Sequence, residues 1–203
     1  ALANRSQATR FFTDGFRLLD HALAASTVEG LSIELGVRRG ASIRFLAGRA
    51  PDRTWHGFDS FEGLPPSDEE AKPKQYRPGA YAVPEASFRA NLTAAAVPLD
   101  DVVIVKRWYG ELGARDKAEL GLTRAALVHI DCDLYVSARD VLRFVGDLLV
   151  DGSVVVLDDY FRHRISEHTG IRRAWQEFLA ENPHIEATLV HMFRRVAFGI
   201  NLR

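Results

Sequence analysis

Two apolar runs in this chain stop abruptly at paired carboxylates. "AALVHI" ends at Asp131, with Cys132 and then Asp133 following, and "GSVVVL" ends at Asp158 and Asp159. A single acid at a strand end is commonly a helix cap or a solvated loop residue. Four acids gathered by neighbouring strands are different, because two carboxylates about 4 Å apart repel by roughly 4 kcal/mol at an effective dielectric of 20. Something positive must offset that repulsion. All four offer hard oxygen ligands, and no cysteine or histidine pair has zinc spacing. A divalent ion such as Mg²⁺, held by Asp131, Asp158 and Asp159 with octahedral positions left for substrate hydroxyls, is therefore expected. Such an ion makes a hydroxyl easier to deprotonate. If the strand persists, Asp131 and Asp133 point the same way and Cys132 turns behind them, so one acid would hold the ion and Asp133 would take the proton.

A second constellation lies earlier. "ELGVRRG" puts Glu34 near the end of one apolar run, followed by Gly36 and Gly40, which let backbone approach a ligand closely. "GFDSFEG" ends the next run on Asp59, 23 residues after Gly36, near the offset at which an acid accepts ribose hydroxyls. An adenosine ligand follows. A dinucleotide fits poorly, since Arg38 stands where G-x-G-x-x-G has its middle glycine and Glu34 would repel a pyrophosphate. S-adenosylmethionine has an adenosine, no phosphate and an ammonium group that suits Glu34.

These residues need a scaffold that brings strand ends together. From "EGLSIELG" to "IRRAWQEFLAEN" apolar strands and amphipathic helices alternate, which predicts a mostly parallel sheet covered on both faces, closed by an antiparallel hairpin of "IEATLV" and "RRVAFGI". In open α/β sheets the ligand lies beyond the carboxyl ends of the strands, where every acid named above falls. A helix is expected from Arg10 to Leu23, with Phe12, Phe16, Leu19 and Leu23 on one face, and residues 1–27 would form a lid or a face for self-association. Residues 60–84 contain five of the eight prolines and no periodicity, as a substrate lid would. His129, inside an apolar run, reads as core rather than ligand; His163 and His168 lie in a polar loop within reach of a substrate.

The 203 residues, 47% of them hydrophobic, suit one domain. With 26 basic against 27 acidic residues, no net field favours nucleic acid or a membrane surface, so a small molecule is the expected partner. One cysteine excludes an internal disulfide, and no apolar run approaches the roughly 20 residues of a membrane span. The start as given has no signal-peptide pattern, so the cytoplasm is the expected compartment.

"ELGVRRGAS", "GFDSFEGLP", "GAYAVPEASFRANL", "VKRWYGEL", "HIDCDLYVSARDVL", "GSVVVLDDY" and "GIRRAWQEF" together resemble the motif series of the macrocin O-methyltransferase (TylF-type) family, in order, from about Leu31 to Phe178. The resemblance implies a class I methyltransferase, Rossmann-like α/β fold with a seven-stranded, mostly parallel sheet, its last strand antiparallel and helices on both faces. It also implies S-adenosylmethionine- and Mg²⁺-dependent methylation of a sugar hydroxyl on a secondary metabolite. Asp131, Asp158 and Asp159 match the metal acids and Asp133 matches the base. Glu34, Gly36, Ser42, Asp59 and Ser60 match positions lining the cofactor, Trp108 and Tyr109 match an aromatic pair near the adenine, and Asp131 is expected to serve cofactor as well as ion. Cys132 and Arg107 stand where the family usually has glycine. Two rivals remain open from sequence: a glycosyltransferase whose metal-binding D-x-D motif is "DCD", and a cofactor-binding module without turnover.

Overall fold

The computed structural model describes residues 10–11, 14–67, 74–161 and 168–203. The readings of Phe12 and His163, and the middle of the 60–84 segment, lie outside these residues.

The alternation read from sequence is present. In chain order the elements are β1 (Arg10–Phe11), α1 (Gly15–Ala25), β2 (Leu31–Leu35), α2 (Ala41–Arg49), β3 (Trp55–Asp59), α3 (Glu85–Ala94), β4 (Val102–Lys106), α4 (Ala114–Glu119), β5 (Ala125–Ile130), α5 (Tyr135–Val145), β6 (Leu149–Leu157), α6 (Gly170–Glu181), β7 (Ile185–Met192) and β8 (Val196–Leu202). One sheet runs β1-β7-β8-β6-β5-β2-β3-β4. Only β8 is antiparallel to its neighbours. The expected seven strands are β2 to β8, and β1 adds a two-residue edge strand parallel to β7, with Arg10 opposite His191.

The expected helix from Arg10 starts later, at Gly15. Asp14 is its N-cap, accepting a hydrogen bond from the Phe16 amide at 3.0 Å, while Arg10 and Phe11 join the sheet instead. Leu18, Leu19, Ala22 and Leu23 spend the helix's apolar stripe in the core with Ile43, Leu46, Phe88 and Leu92 of α2 and α3. On the opposite face of the sheet, α5 and α6 pack Ala138, Val141, Leu142, Trp175 and Phe178 against Ile33, Val128 and Val155. Two such layers bury the sheet on both sides, which is why its central strands are apolar throughout rather than alternating.

The chain runs β2, β3, β4 in one direction across the sheet, then returns to β5 and β6 on the other side of β2. The switch point therefore lies between β2 and β5. Hydrogen bonds continue one step past the strands there: the Asp131 amide donates to Leu35 O at 2.8 Å, Asp158 to Ile130 O at 2.9 Å, and Gly36 to Phe58 O at 2.9 Å. The loops that carry the acids thus leave the sheet from fixed points.

Candidate functional site

A cavity of about 300 Å³ opens over this switch point, at the small end of the range for ligand sites. Its wall includes Gly36, Asp59, Ser60, Trp108, Tyr109, Asp131, Asp133, Asp158 and Asp159. These are nine of the twelve residues singled out from sequence. Glu34, Gly40 and Ser42 are not in the wall.

Each exception has a physical reason. Glu34 lies under the cavity floor, 1% exposed, with Oε1 3.2 Å from His129 Nδ1. The β2–β5 register pairs Glu34 with His129, so the two side chains meet across adjacent strands. Gly40 has a packing requirement of its own: its φ is +79°, and a Cβ there would lie 2.9 Å from the Phe88 ring. Ser42 is buried on the first turn of α2. Gly36, with φ +100°, does line the cavity, and a Cβ there would meet the Asp131 carbonyl oxygen at 1.8 Å. Glycine at 36 is what allows the β2–α2 turn to lie against the end of β5.

Asp59 is held at both oxygens. Oδ2 accepts from the Arg38 amide and Oδ1 from the Phe61 amide, each at 2.8 Å, leaving the remaining lone pairs for a ligand hydroxyl. Arg38 has φ +46°, and its guanidinium lies 4.9 Å from the centre of the Tyr81 ring, tying the turn to the 60–84 segment. That segment contributes Ser60, Gly63, Leu64, Pro65 and Tyr81 to the wall. Tyr109 donates to Phe58 O at 3.4 Å, and its phenol is pushed well up by burial and then by Asp59, so it stays neutral. Arg107 is anchored to Asp116 at 3.0 Å on the cavity rim.

The acids form the other half of the wall. β5 ends at Ile130, so Asp131 and Asp133 do not sit on a continuing strand as expected; Asp133 takes φ +57° and leads into the Leu134 N-cap of α5. Both acids line the cavity, and a left-handed residue rather than strand alternation aims the second one. Cys132 is buried, its thiol raised by burial and then by Asp133 and Asp131, and it lines the cavity with them rather than turning behind as expected.

Burial, then Asp158 and Asp159, push the Asp131 carboxyl well above its ordinary value. Burial would also raise Asp158, but attraction from His129 and Arg195, with hydrogen bonds from Arg195 and Asp131, holds it low. Arg195 thus pairs with one of these crowded carboxylates, and a hard divalent cation among Asp131, Asp158 and Asp159 would relieve the repulsion that remains. His129, read from sequence as core, is fully buried, yet one of its nitrogens and carboxylate oxygens of Asp131 and Asp158 lie within 4.8 Å of one another. A signal for it existed: it stands next to last on β5, two residues before Asp131. On the cofactor side, Glu34 Oε2 is buried with no hydrogen-bond partner among the described residues, an acceptor that an ammonium group or a bridging water would satisfy.

The family model for macrocin-O-methyltransferase (TylF) matches residues 14–198. A Streptomyces olivaceus protein, 8-demethyl-8-(2,3-dimethoxy-alpha-L-rhamnosyl)-tetracenomycin-C 4'-O-methyltransferase, is 31% identical over 72% of this chain. The match spans 59% of that relative's length. Among solved structures, CalS11, a calicheamicin methyltransferase, superposes with a TM-score of 0.74 at 25% identity, covering 91% of this chain and 77% of its own. The O-methyltransferase NovP gives 0.73 at 23% identity, covering 93% and 80%. The fold is thus that of class I methyltransferases. Among the described residues no helix is long and apolar enough to cross a membrane.

Proposed function

The chain belongs to the macrocin-O-methyltransferase family, and from that premise we propose that it transfers a methyl group from S-adenosylmethionine to a hydroxyl of a sugar borne by a secondary metabolite, with a divalent ion, Mg²⁺ by chemistry, held by Asp131, Asp158 and Asp159. The observation that carries this reading is the single cavity whose wall joins an adenosine-like half (Asp59, Trp108, Tyr109) to a four-carboxylate half. Membership of the family removes the ground for a D-x-D glycosyltransferase. The relative's named acceptor, a rhamnosyl tetracenomycin, supports a deoxysugar glycoside as the substrate class.

When bound, the cofactor supplies an electrophilic methyl and the ion supplies positive charge beside the acceptor oxygen. The chain's own residues do the rest. Asp59, its carboxylate fixed by two backbone amides, accepts the ribose hydroxyls. Trp108 and Tyr109, on the cavity wall, would receive the adenine, and Glu34, paired with His129, would meet the ammonium group. Asp131, Asp158 and Asp159 hold the ion. Asp133, aimed by its left-handed backbone, takes the acceptor's proton as the oxygen attacks. Ser60, Gly63, Leu64, Pro65 and Tyr81, on the cavity wall, act as a lid that excludes water.

Incubation with methyl-labelled S-adenosylmethionine, Mg²⁺ and a panel of deoxysugar glycosides should yield a product one methyl heavier by mass spectrometry. Chelator should abolish transfer and added Mg²⁺ restore it. Full transfer in excess chelator would remove the ion from the reading.

A further inference from the structure

The acid cluster already has a cation of its own. Arg195, in the short connection from β7 to β8, forms an ion pair with Asp158 through Nε; the two side chains are 17% and 15% exposed. Sheet register puts it there. β8 is antiparallel to β6 with Val196 opposite Leu157, so the residues one step beyond, Arg195 and Asp158, face each other. The guanidinium also reaches the first turn of α1. A Cβ on Gly15 would lie 3.0 Å from Arg195 Nη1 and 3.1 Å from Cζ, and the Phe16 ring centre is 5.9 Å from Cζ. Nη1 is buried with no hydrogen-bond partner among the described residues. Beyond it a second cavity of about 520 Å³, lined by Gly15, Phe16, Phe161, Arg194 and Arg195, meets the first at Asp158 and Asp159.

We propose that Arg195 is the resident counter-cation of the acid cluster: it neutralises Asp158 while no divalent ion is bound and competes with the ion for that carboxylate. The inference rests on the reading that Asp131, Asp158 and Asp159 hold a divalent ion. A guanidinium bonded to one ligand carboxylate stands close to any ion on the same group, and two like charges crowded there repel. Arg195 is thus a positioning residue that sets how tightly the ion is held. Because it packs on Gly15 and Phe16, arrival of the ion also loosens its hold on the start of α1. The rival role, in which Arg195 merely orients Asp158 and stays bonded during metal binding, has the opposite sign: removing it would weaken the site.

Mn²⁺ titration of the full chain, read by electron paramagnetic resonance of the free ion, separates these. Arg195→Gln should bind Mn²⁺ about tenfold or more tightly than the unaltered chain, and Arg195→Lys should return the affinity toward the original value. Gly15→Ala, which displaces only the end of a flexible side chain, should shift affinity in the same direction by less and keeps the test available if Arg195→Gln does not fold. Unchanged or weaker binding in Arg195→Gln, or in Gly15→Ala where that is the variant measured, would overturn the proposal. If the unaltered chain binds no Mn²⁺, the metal reading fails, and melting in chelator decides the counter-cation role alone. Arg195→Gln should then melt lower than the parent, and the same change in an Asp158→Asn background should cost less. Equal losses in both backgrounds would overturn it.

Discussion

Replacing Asp59 by Asn changes one charge and moves almost no atoms, which makes it a sharp probe of the cofactor half. Both carboxylate oxygens are occupied by backbone donors, Arg38 N–H and Phe61 N–H, at 2.8 Å each. An amide has one acceptor oxygen; its NH₂ would face the second of these donors. The loss is one charge-assisted hydrogen bond, about 1.5–3 kcal/mol, and the exposure of the Arg38 bond favours the lower figure. For a chain of this size 1 kcal/mol shifts Tm by roughly 2–4 °C, so Asp59→Asn should melt about 3–6 °C lower. The same side chain is assigned the ribose hydroxyls, and losing its charge should weaken S-adenosylhomocysteine by about tenfold or more. Differential scanning and titration calorimetry on one preparation read both. A lower Tm with unchanged S-adenosylhomocysteine affinity would make Asp59 purely a turn-holding residue and refute its place in the cofactor site.

Asp133→Asn should fold normally, because asparagine tolerates the left-handed backbone that position 133 adopts, and should keep Mn²⁺ and S-adenosylhomocysteine affinity while the maximal rate falls by roughly 10²–10⁴-fold; loss of Mn²⁺ binding instead would make it a ligand. Asp131 must give up its proton to hold an ion, so Mn²⁺ affinity should climb with pH through the range above 3.8 up to its raised value, and calorimetry in two buffers should register a released proton; a flat profile would refute the crowding of these acids. For the metal-free protein the signs are opposed. Asp131, raised in the fold, contributes stability at low pH that is lost as pH rises through its folded value, whereas Asp158, lowered, contributes stability that is lost as pH falls through its own. Gly36→Ala should cost about 3 kcal/mol or more in urea unfolding, since its Cβ would meet the Asp131 carbonyl, while Gly40→Val should lower stability through Phe88 with little change in S-adenosylhomocysteine affinity.

The strands and the aspartates at their ends were legible because a parallel strand covered on both faces reads as a near-continuous apolar run, and Asp131 and Asp158 stand where such runs stop. Helix order followed from the same alternation. What stayed hidden depends on contacts between residues far apart in sequence. Glu34 reads as a cofactor residue from its position, and that one of its oxygens pairs with His129 follows only from the β2–β5 register. Arg195 reads as an ordinary strand residue until the antiparallel β6–β8 register sets it against Asp158. Asp133 lies beyond the end of β5, so its place beside Asp131 on the cavity wall does not come from strand alternation. The start of α1 was misread because apolar periodicity outweighed the capping aspartate at position 14.

The most direct test is diffraction from a crystal soaked with MnCl₂ and S-adenosylhomocysteine, recorded at the manganese absorption edge. The account predicts one anomalous peak among Asp131, Asp158 and Asp159, with the nucleoside seated by Asp59, Trp108 and Tyr109 in the same cavity. S-adenosylhomocysteine bound there with no manganese at the three acids, or manganese bound with the nucleoside elsewhere, would contradict it.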